Sequence, residues 1–480
     1  MTSWLKGFWR MYNNNSVLFD CNQNSYAFDT ENLVFCQLDE QTKNVFDYYN
    51  ENGEFPAENP MSPNVKVYAD NGYFFDESNA DEYFEYSADY VSLSFPPVHE
   101  CNFRCRYCFA GGGENYTGKQ QQFTRDKIDK MLQYVYDVKF SESKQFRFDF
   151  VSGGEPLLNF EIMQYFIDRV KEIDVEKGVK TTFFVVTNGT LLNENILRYF
   201  DSHNVDLGIS IDGDRQLHDL QRPYKDGRGS YDDVIKAIKM IQGSNCSVRM
   251  KDIWALTVVT KNTKSLKDVL EHHAGLGIKR AQLKILRSDG QHPLGFTVKD
   301  LPELKNNYAE LNEYLRSKID DDDTGKLLMI LNDNDTYGKI IRRLLLREKV
   351  VYRCGAGKNK ISFSASGDYY PCDSFCGMPE FFMGNIEGNE RYAAGGRFYA
   401  ASIYGRPRCR ACWAKNLCGG DCYHNSYLKN HDIMEPDPVI CEMNQFFIQE
   451  AVDLLCYLYN HSPAFVTRLV KNLRKRARMA

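Results

Sequence analysis

Apolar and polar positions alternate over residues 17–20, 26–29 and 33–38, then fall into helical spacing from about 39 to 49, which predicts short strands followed by a helix. Residues 51–88 are rich in Pro, Asn, Asp and Glu and predict turns and an exposed connection. From 89 to about 286 the pattern changes to strand, loop, helix, repeated. Strands are predicted at 91–95, 146–151, 182–186, 206–211, 256–260 and 280–285. Between them, apolar residues share helix faces: Ile128, Met131, Leu132 and Val135; Ile162, Met163, Phe166, Ile167 and Val170; Val234, Ile235, Ile238 and Ile241. Ser230 with Asp233 predicts a capping box on the last of these. Six such units specify an α/β fold with a parallel sheet, open or curled into a partial barrel. Residues 290–350 predict a helical connector, and 351–445 form a Cys- and Gly-rich region of little periodicity. A helix over about 445–459 precedes a basic tail. The expected division is 1–88, 89–290, 291–350, 351–445 and 446–480.

Composition narrows the class. With 480 residues, 43% hydrophobic and 26% charged, the chain has the balance of a globular protein rather than a disordered or fibrous one. No apolar run reaches the roughly 18 residues of a membrane span, and the start lacks a signal-peptide core, so a cytoplasmic protein without a membrane partner is expected. The net charge of −6 is uneven, with 16 acidic and 4 basic residues in the first 90. That distribution gives no reason to expect a nucleic-acid partner.

The fifteen cysteines are concentrated in two groups, which in a reducing compartment points to metal or catalysis rather than disulfides. Cys101, Cys105 and Cys108 lie in CNFRCRYC after the first strand of the repeating region. Gly153-Gly-Glu-Pro156, Thr187-Asn-Gly189 and Ser210-Ile-Asp-Gly213 follow the next three strands. Parallel sheets place their chemistry in such loops. Three thiolates leave one iron of a four-iron cluster open, while a zinc site completed elsewhere is the simpler alternative. The second group runs Cys354, twelve residues, Gly367, four residues, Cys372, then Cys409, Cys412, Cys418, Cys422 and Cys441. Two zinc sites would also satisfy it.

The CxxxCxxC spacing with Tyr107 before its last cysteine, and the GGEP stretch one strand later, resemble the radical S-adenosylmethionine (SAM) enzymes. The resemblance implies a partial (β/α)6 TIM-like barrel, in which SAM chelates the open iron and is cleaved to a 5′-deoxyadenosyl radical. It further implies that Gly153, Gly154 and Glu155 face the methionyl ammonium, that Ser210 and Arg222 face the carboxylate and ribose, and that Asn188 is a ribose candidate. The second group resembles the SPASM extension, which implies two auxiliary 4Fe-4S clusters and three clusters in all. Carried over, Cys409, Cys412, Cys418 and Cys441 hold the distal cluster, and Cys354, Cys372 and Cys422 the nearer one, whose fourth position is either Cys376 or an open iron that binds a substrate thiolate. Asp373 stands where sulfatase-modifying relatives carry a base, and a turn-capping role is equally consistent. Cys21, Cys36, Cys246 and Cys456 read as buried small hydrophobes, and His424 has no assigned role.

Many SPASM enzymes modify ribosomally made peptides. The N-terminal strand-strand-helix order resembles the small winged-helix-like RiPP recognition element, which binds a leader peptide by strand addition. The stretch from Cys108 to Gly113, with Tyr116, resembles thioether-forming maturases of the sactipeptide or ranthipeptide type. The implied function is a peptide maturase installing a cysteine thioether, with a leader-bearing precursor as substrate and a flavodoxin or ferredoxin-type reductant. A formylglycine-generating sulfatase maturase, a carbon-carbon crosslinking maturase, an iron-sulfur electron carrier and a zinc scaffold are the alternatives.

Overall fold

The computed structural model describes residues 9–11, 15–75, 90–112, 122–151, 153–320, 323–332, 335–388 and 392–479. The chain opens with a four-stranded antiparallel sheet, β1 (Trp9–Met11), β2 (Ser16–Cys21), β3 (Asn24–Asp29) and β4 (Val34–Leu38), paired in that order. Alternation gives the sheet two apolar faces. Leu18, Ala27, Cys36 and Leu38 are covered by the helices Glu40–Asn52 and Pro63–Asp70, while Val17, Phe19, Tyr26 and Phe28 join the main core.

Over residues 61–75 the second helix corrects the reading of 51–88 as an exposed connection; residues 51–60 are largely exposed as expected, and 76–88 lie outside the described residues. Pro63 occupies its first turn, where a missing N–H costs nothing, and Met61, Val65 and Phe74 are buried beneath it. The Phe74 amide donates to the Asp29 carboxylate at 2.9 Å, tying the segment to the sheet.

The central sheet carries the predicted strands nearly residue for residue: β5 (Tyr90–Ser94), β6 (Gln145–Phe150), β7 (Lys180–Thr187), β8 (Val205–Ser210), β9 (Trp254–Val259) and β10 (Arg280–Ile285). They are parallel and adjacent in chain order, with helices returning between them. Phe146, Phe148 and Phe150 face those helices and are buried, so Arg147 and Asp149 point the other way, into the sheet's concave side. The predicted capping box on helix Tyr231–Gly243 does not form. Asp219 takes the amides of Ser230 and Tyr231, each at 2.8 Å, and the Ser230 hydroxyl donates instead to the Arg222 carbonyl at 2.6 Å.

The Cys-rich region extends this same sheet. β11 (Lys360–Phe363) runs parallel to β5, pairing Ser362 with Ser94, and β12 (Asp368–Tyr370) and β13 (Gly384–Asn385) follow antiparallel. That pairing brings the second cysteine group beside the first.

The connector holds helices Leu301–Asp320, Gly325–Ile330 and Thr336–Leu346. The final long helix begins at Pro438 rather than near 445, because Asp437 caps it and Pro438 starts it, so Cys441 lies in its first turn. The basic tail is itself a helix, Pro463–Met479, seated by buried Val466, Leu469 and Leu473. No helix among the described residues is long and apolar enough to cross a membrane.

Candidate functional site

The first cysteine loop is pinned by the loops after three other strands. Glu155 N donates to Glu100 O at 2.7 Å; Asn102 Nδ2 donates to Thr190 Oγ1 at 3.0 Å; Arg104 N and Arg106 N donate to Pro223 O and Gln221 O at 2.8 and 2.9 Å. The approach at Gly154 is so close that a Cβ there would stand 2.0 Å from Glu100 O, and Gly153 turns the chain at φ +81°.

Glu155 itself points away from the cavity. Its carboxylate takes Leu157 N at 3.2 Å, Thr187 Oγ1 at 2.5 Å and Asn188 N at 2.8 Å, locking the second loop to the third. Burial raises it to about 7, against the pull of those bonds. The Asn188 side chain is committed too, its Nδ2 donating to Asn102 at 2.7 Å and its Oδ1 accepting from Thr190.

Asp212, buried below Ser210, is a hub the sequence reading passed over. It accepts from Tyr107 OH at 2.5 Å, Gln221 Nε2 at 2.9 Å, Arg222 Nη2 at 3.0 Å and Val258 N at 3.0 Å. The aromatic residue of the cysteine motif is thereby fixed, and the Arg222 guanidinium lies 5.3 Å from its ring centre. Burial holds the Tyr107 hydroxyl well above its usual range, so it stays protonated and donates.

A cavity of about 470 Å³ opens over this loop. Cys105, Cys108, Ser210 and Arg222 border it from the barrel; Cys354, Cys372, Asp373 and Cys422 border it from the Cys-rich region. The thiols fall into three electrostatic neighbourhoods. Burial lifts Cys101 to about 12 and Cys105 higher still, with charge on the loop's other cysteines adding to both. Burial likewise raises Cys372, with Asp373 adding, Lys360 opposing, and Cys422 and Cys354 adding further. Around Cys418, burial is reinforced by Cys412, which also acts on Cys409 and Cys441.

Cys376 is buried, donates to Ser362 Oγ at 3.3 Å, and borders a second chamber of about 560 Å³ that shares Tyr107, Cys108 and Arg287 with the first. His424 is buried against Phe375 and Phe109 and lines both chambers; burial lowers it to about 3, so it is neutral. Cys36 and Cys456 are buried in apolar surroundings, and Cys246 is half-buried against the core. Cys21 differs: its thiol donates to Glu450 Oε1 at 3.4 Å. Gly113 and Tyr116 lie outside the described residues.

Sequence reasoning also missed the charges around the cavity. Arg147 pairs with Asp149 at 2.6 Å, Lys360 lies 3.7 Å from Asp373, and Arg287 donates to Ser374 Oγ at 3.2 Å and Cys422 Sγ at 3.3 Å. Burial pushes the Cys422 thiol up, but Arg287, the Asn425 amide and Lys284 together bring it below its usual value. The signal was present in the strands, since Arg147 and Asp149, and Gln282 and Lys284, are polar residues two apart between buried apolar ones.

Six parallel strands with cysteine loops over their C-terminal ends define an α/β partial-barrel enzyme. Residues 95–271 match the Radical SAM superfamily and mark a radical SAM domain in this chain. It is 25% identical over 381 residues to the cysteine-type anaerobic sulfatase-maturating enzyme of Clostridium novyi, covering 76% of this chain and 95% of that one. The fold is that of native anSMEcpe with bound AdoMet, with TM-score 0.61, 19% identity, and 80% of this chain and 99% of that chain covered. SuiB of Streptococcus suis, solved bound to precursor peptide SuiA, superposes with TM-score 0.50 at 14% identity over 89% of this chain and 98% of that one.

Proposed function

We propose that the chain is a peptide maturase that takes a hydrogen from one residue of a ribosomally made precursor and closes a crosslink to it, in the first instance a thioether from a cysteine sulfur. The observation carrying this reading is the single cavity bordered by both cysteine groups. Its volume suits a cofactor and one inserted side chain.

Cys101, Cys105 and Cys108 would hold the SAM-binding cluster; three soft donors on one pinned loop fit that group and leave a fourth position for SAM. When bound, the cofactor supplies a 5′-deoxyadenosyl radical able to abstract hydrogen from an unactivated carbon. Backbone at Gly153 and Gly154 would face the methionyl end, and the Ser210 hydroxyl borders the cavity as a donor. Arg222 is held by Asp212, and Glu155 and Asn188 are committed to loop contacts, so these three fit positioning roles better than the free contacts expected from the resemblance.

Cys354, Cys372 and Cys422 would hold a nearer auxiliary cluster, and Cys409, Cys412, Cys418 and Cys441 a distal one. The commitment of the Cys376 thiol to Ser362 favours a nearer cluster with a position open to a substrate thiolate, which would be held deprotonated beside the reacting carbon. Asp373, which borders the cavity near Lys360, would accept a proton from substrate. The N-terminal sheet would take the leader by strand addition, and a flavodoxin or ferredoxin-type protein would deliver electrons.

The test is anaerobic reconstitution with SAM, dithionite as the electron source, and a synthetic Cys-containing precursor peptide. The expected results are 5′-deoxyadenosine and a peptide lighter by a pair of hydrogens, with its cysteine no longer alkylatable. An aldehyde on a sulfatase-derived peptide would instead establish the formylglycine reading, which the sulfatase-maturating relative and Asp373 in the cavity both favour. Absence of 5′-deoxyadenosine from fully iron-loaded protein would overturn both.

A further inference from the structure

Leaving its cysteines aside, the cavity is bordered by more cations than carboxylates. Arg147, Arg222, Lys284, Arg287 and Lys360 border it against Asp149 and Asp373. Arg147 and Lys360 have those carboxylates, Arg222 has Asp212, and Arg287 has Ser374 and the Cys422 sulfur. Lys284, on the concave face of β10, has no hydrogen-bond or ion-pair partner among the described residues. Its side chain is exposed, and it borders the cavity.

We infer that Lys284 is the seat for a carboxylate of the peptide substrate. An ammonium that faces the cavity without a hydrogen-bond partner is free to take an anion, and a charge-assisted bond is stronger than a neutral one. The cavity's two carboxylates are occupied, and apolar Phe184, Leu256 and Ile285 offer nothing that competes for the ammonium. The inference rests on the peptide-maturase reading and deepens it: a carboxylate on Lys284 anchors the modified segment between Ser210 on one side and Cys354, Cys372 and Cys422 on the other. The carboxylate can come from an Asp or Glu side chain or from a peptide C-terminus.

Three fluorescent pentapeptides separate these sources: acetyl-Gly-Cys-Gly-Asp-Gly-amide, its Asn counterpart, and the Asn counterpart with a free C-terminus. Binding is followed by anisotropy on anaerobic, iron-loaded enzyme with SAM. At least one carboxylate-bearing peptide is expected to bind about tenfold more tightly than the neutral one, with Lys284→Met abolishing the difference and Lys284→Arg keeping it. SAM affinity and iron content should be unchanged in both variants. Equal binding of all three peptides, including no binding, overturns the inference, as does a preference surviving in Lys284→Met. Loss of SAM affinity or iron in Lys284→Met would overturn it too, by giving the charge to the cofactors. Formation of 5′-deoxyadenosine by the same preparations reports on the enzyme reading independently of peptide binding.

Discussion

At the scale of single residues, roles divide by which way a side chain is turned. The loop that gathers the motif cysteines was legible because their spacing is a local property, whereas the inward turn of Glu155 depends on Thr187 and Asn188, more than thirty residues away. Replacing Cys101, Cys105 and Cys108 together by Ala should abolish SAM cleavage and remove about a third of roughly twelve irons, read by iron assay, with the auxiliary clusters retained. Glu155→Gln should destabilise the protein by about 1–3 kcal/mol, because an amide nitrogen then meets a donor in the buried loop. The pH dependence has a definite sign. Burial raises Glu155 from 4.5 to about 7, so its contribution to stability is full below pH 4.5 and is lost as pH rises through 7. Urea midpoints of the variant should therefore depend less on pH across that interval. Cys376→Ala should retain iron and crosslinking if its thiol serves only Ser362; loss of the nearer cluster, seen by EPR, would make it a ligand.

At the scale of elements, the strands of the barrel were readable because alternation and loop chemistry recur six times, and each reading supports the next. The N-terminal unit was harder, because its boundaries are set by contacts far along the chain. Phe28 packs edge-on against Trp413, which lies between Cys412 and Cys418; Asn416 donates to Thr30 O at 2.9 Å; Glu31 pairs with Lys349 at 3.4 Å and Lys415 at 3.6 Å. The sequence suggests a detachable module, and these contacts argue against one. Deleting residues 1–75 should lower iron bound by the Cys409–Cys441 group as well as peptide processing. Phe28→Ala should cost about 3–5 kcal/mol by leaving a cavity at this junction, measured by chemical denaturation. A leader-binding test is cleaner with proline placed in β4, which removes an edge donor and leaves the core in place.

At the scale of the whole molecule, buried neutral histidines set the acid limit. Burial lowers His218 to about 4 and His273 to about 3; with the Ser230 and Thr257 hydroxyls donating to the Arg222 and Ile211 carbonyls, His218 Nε2 donates to Ser230 Oγ at 3.0 Å and His273 Nε2 to Thr257 Oγ1 at 2.8 Å. Their contribution is complete above pH 6.5 and is lost as pH falls through 4 and 3. Each adds up to about 1.4 kcal/mol per pH unit to the slope of stability in that window. Replacing both by Gln should flatten the acid limb of the unfolding profile, at some cost in stability at neutral pH.

The helix Pro438–His461 is about 36 Å long at 1.5 Å per residue, and its two ends serve different parts of the protein. Near its start, Asn444 and Gln445 donate to the Cys418 and Cys412 sulfurs at 3.2 and 3.5 Å; about one and a half turns on, Glu450 accepts from Cys21, and a turn further Asp453 accepts from Asn22 at 2.7 Å. An engineer exchanging N-terminal sheets between maturases has to exchange the second half of this helix with them. Natural recombination meets the same constraint, so the ancestry of the first 75 residues and of residues 450–461 should be read as one lineage, however far apart they lie in the gene.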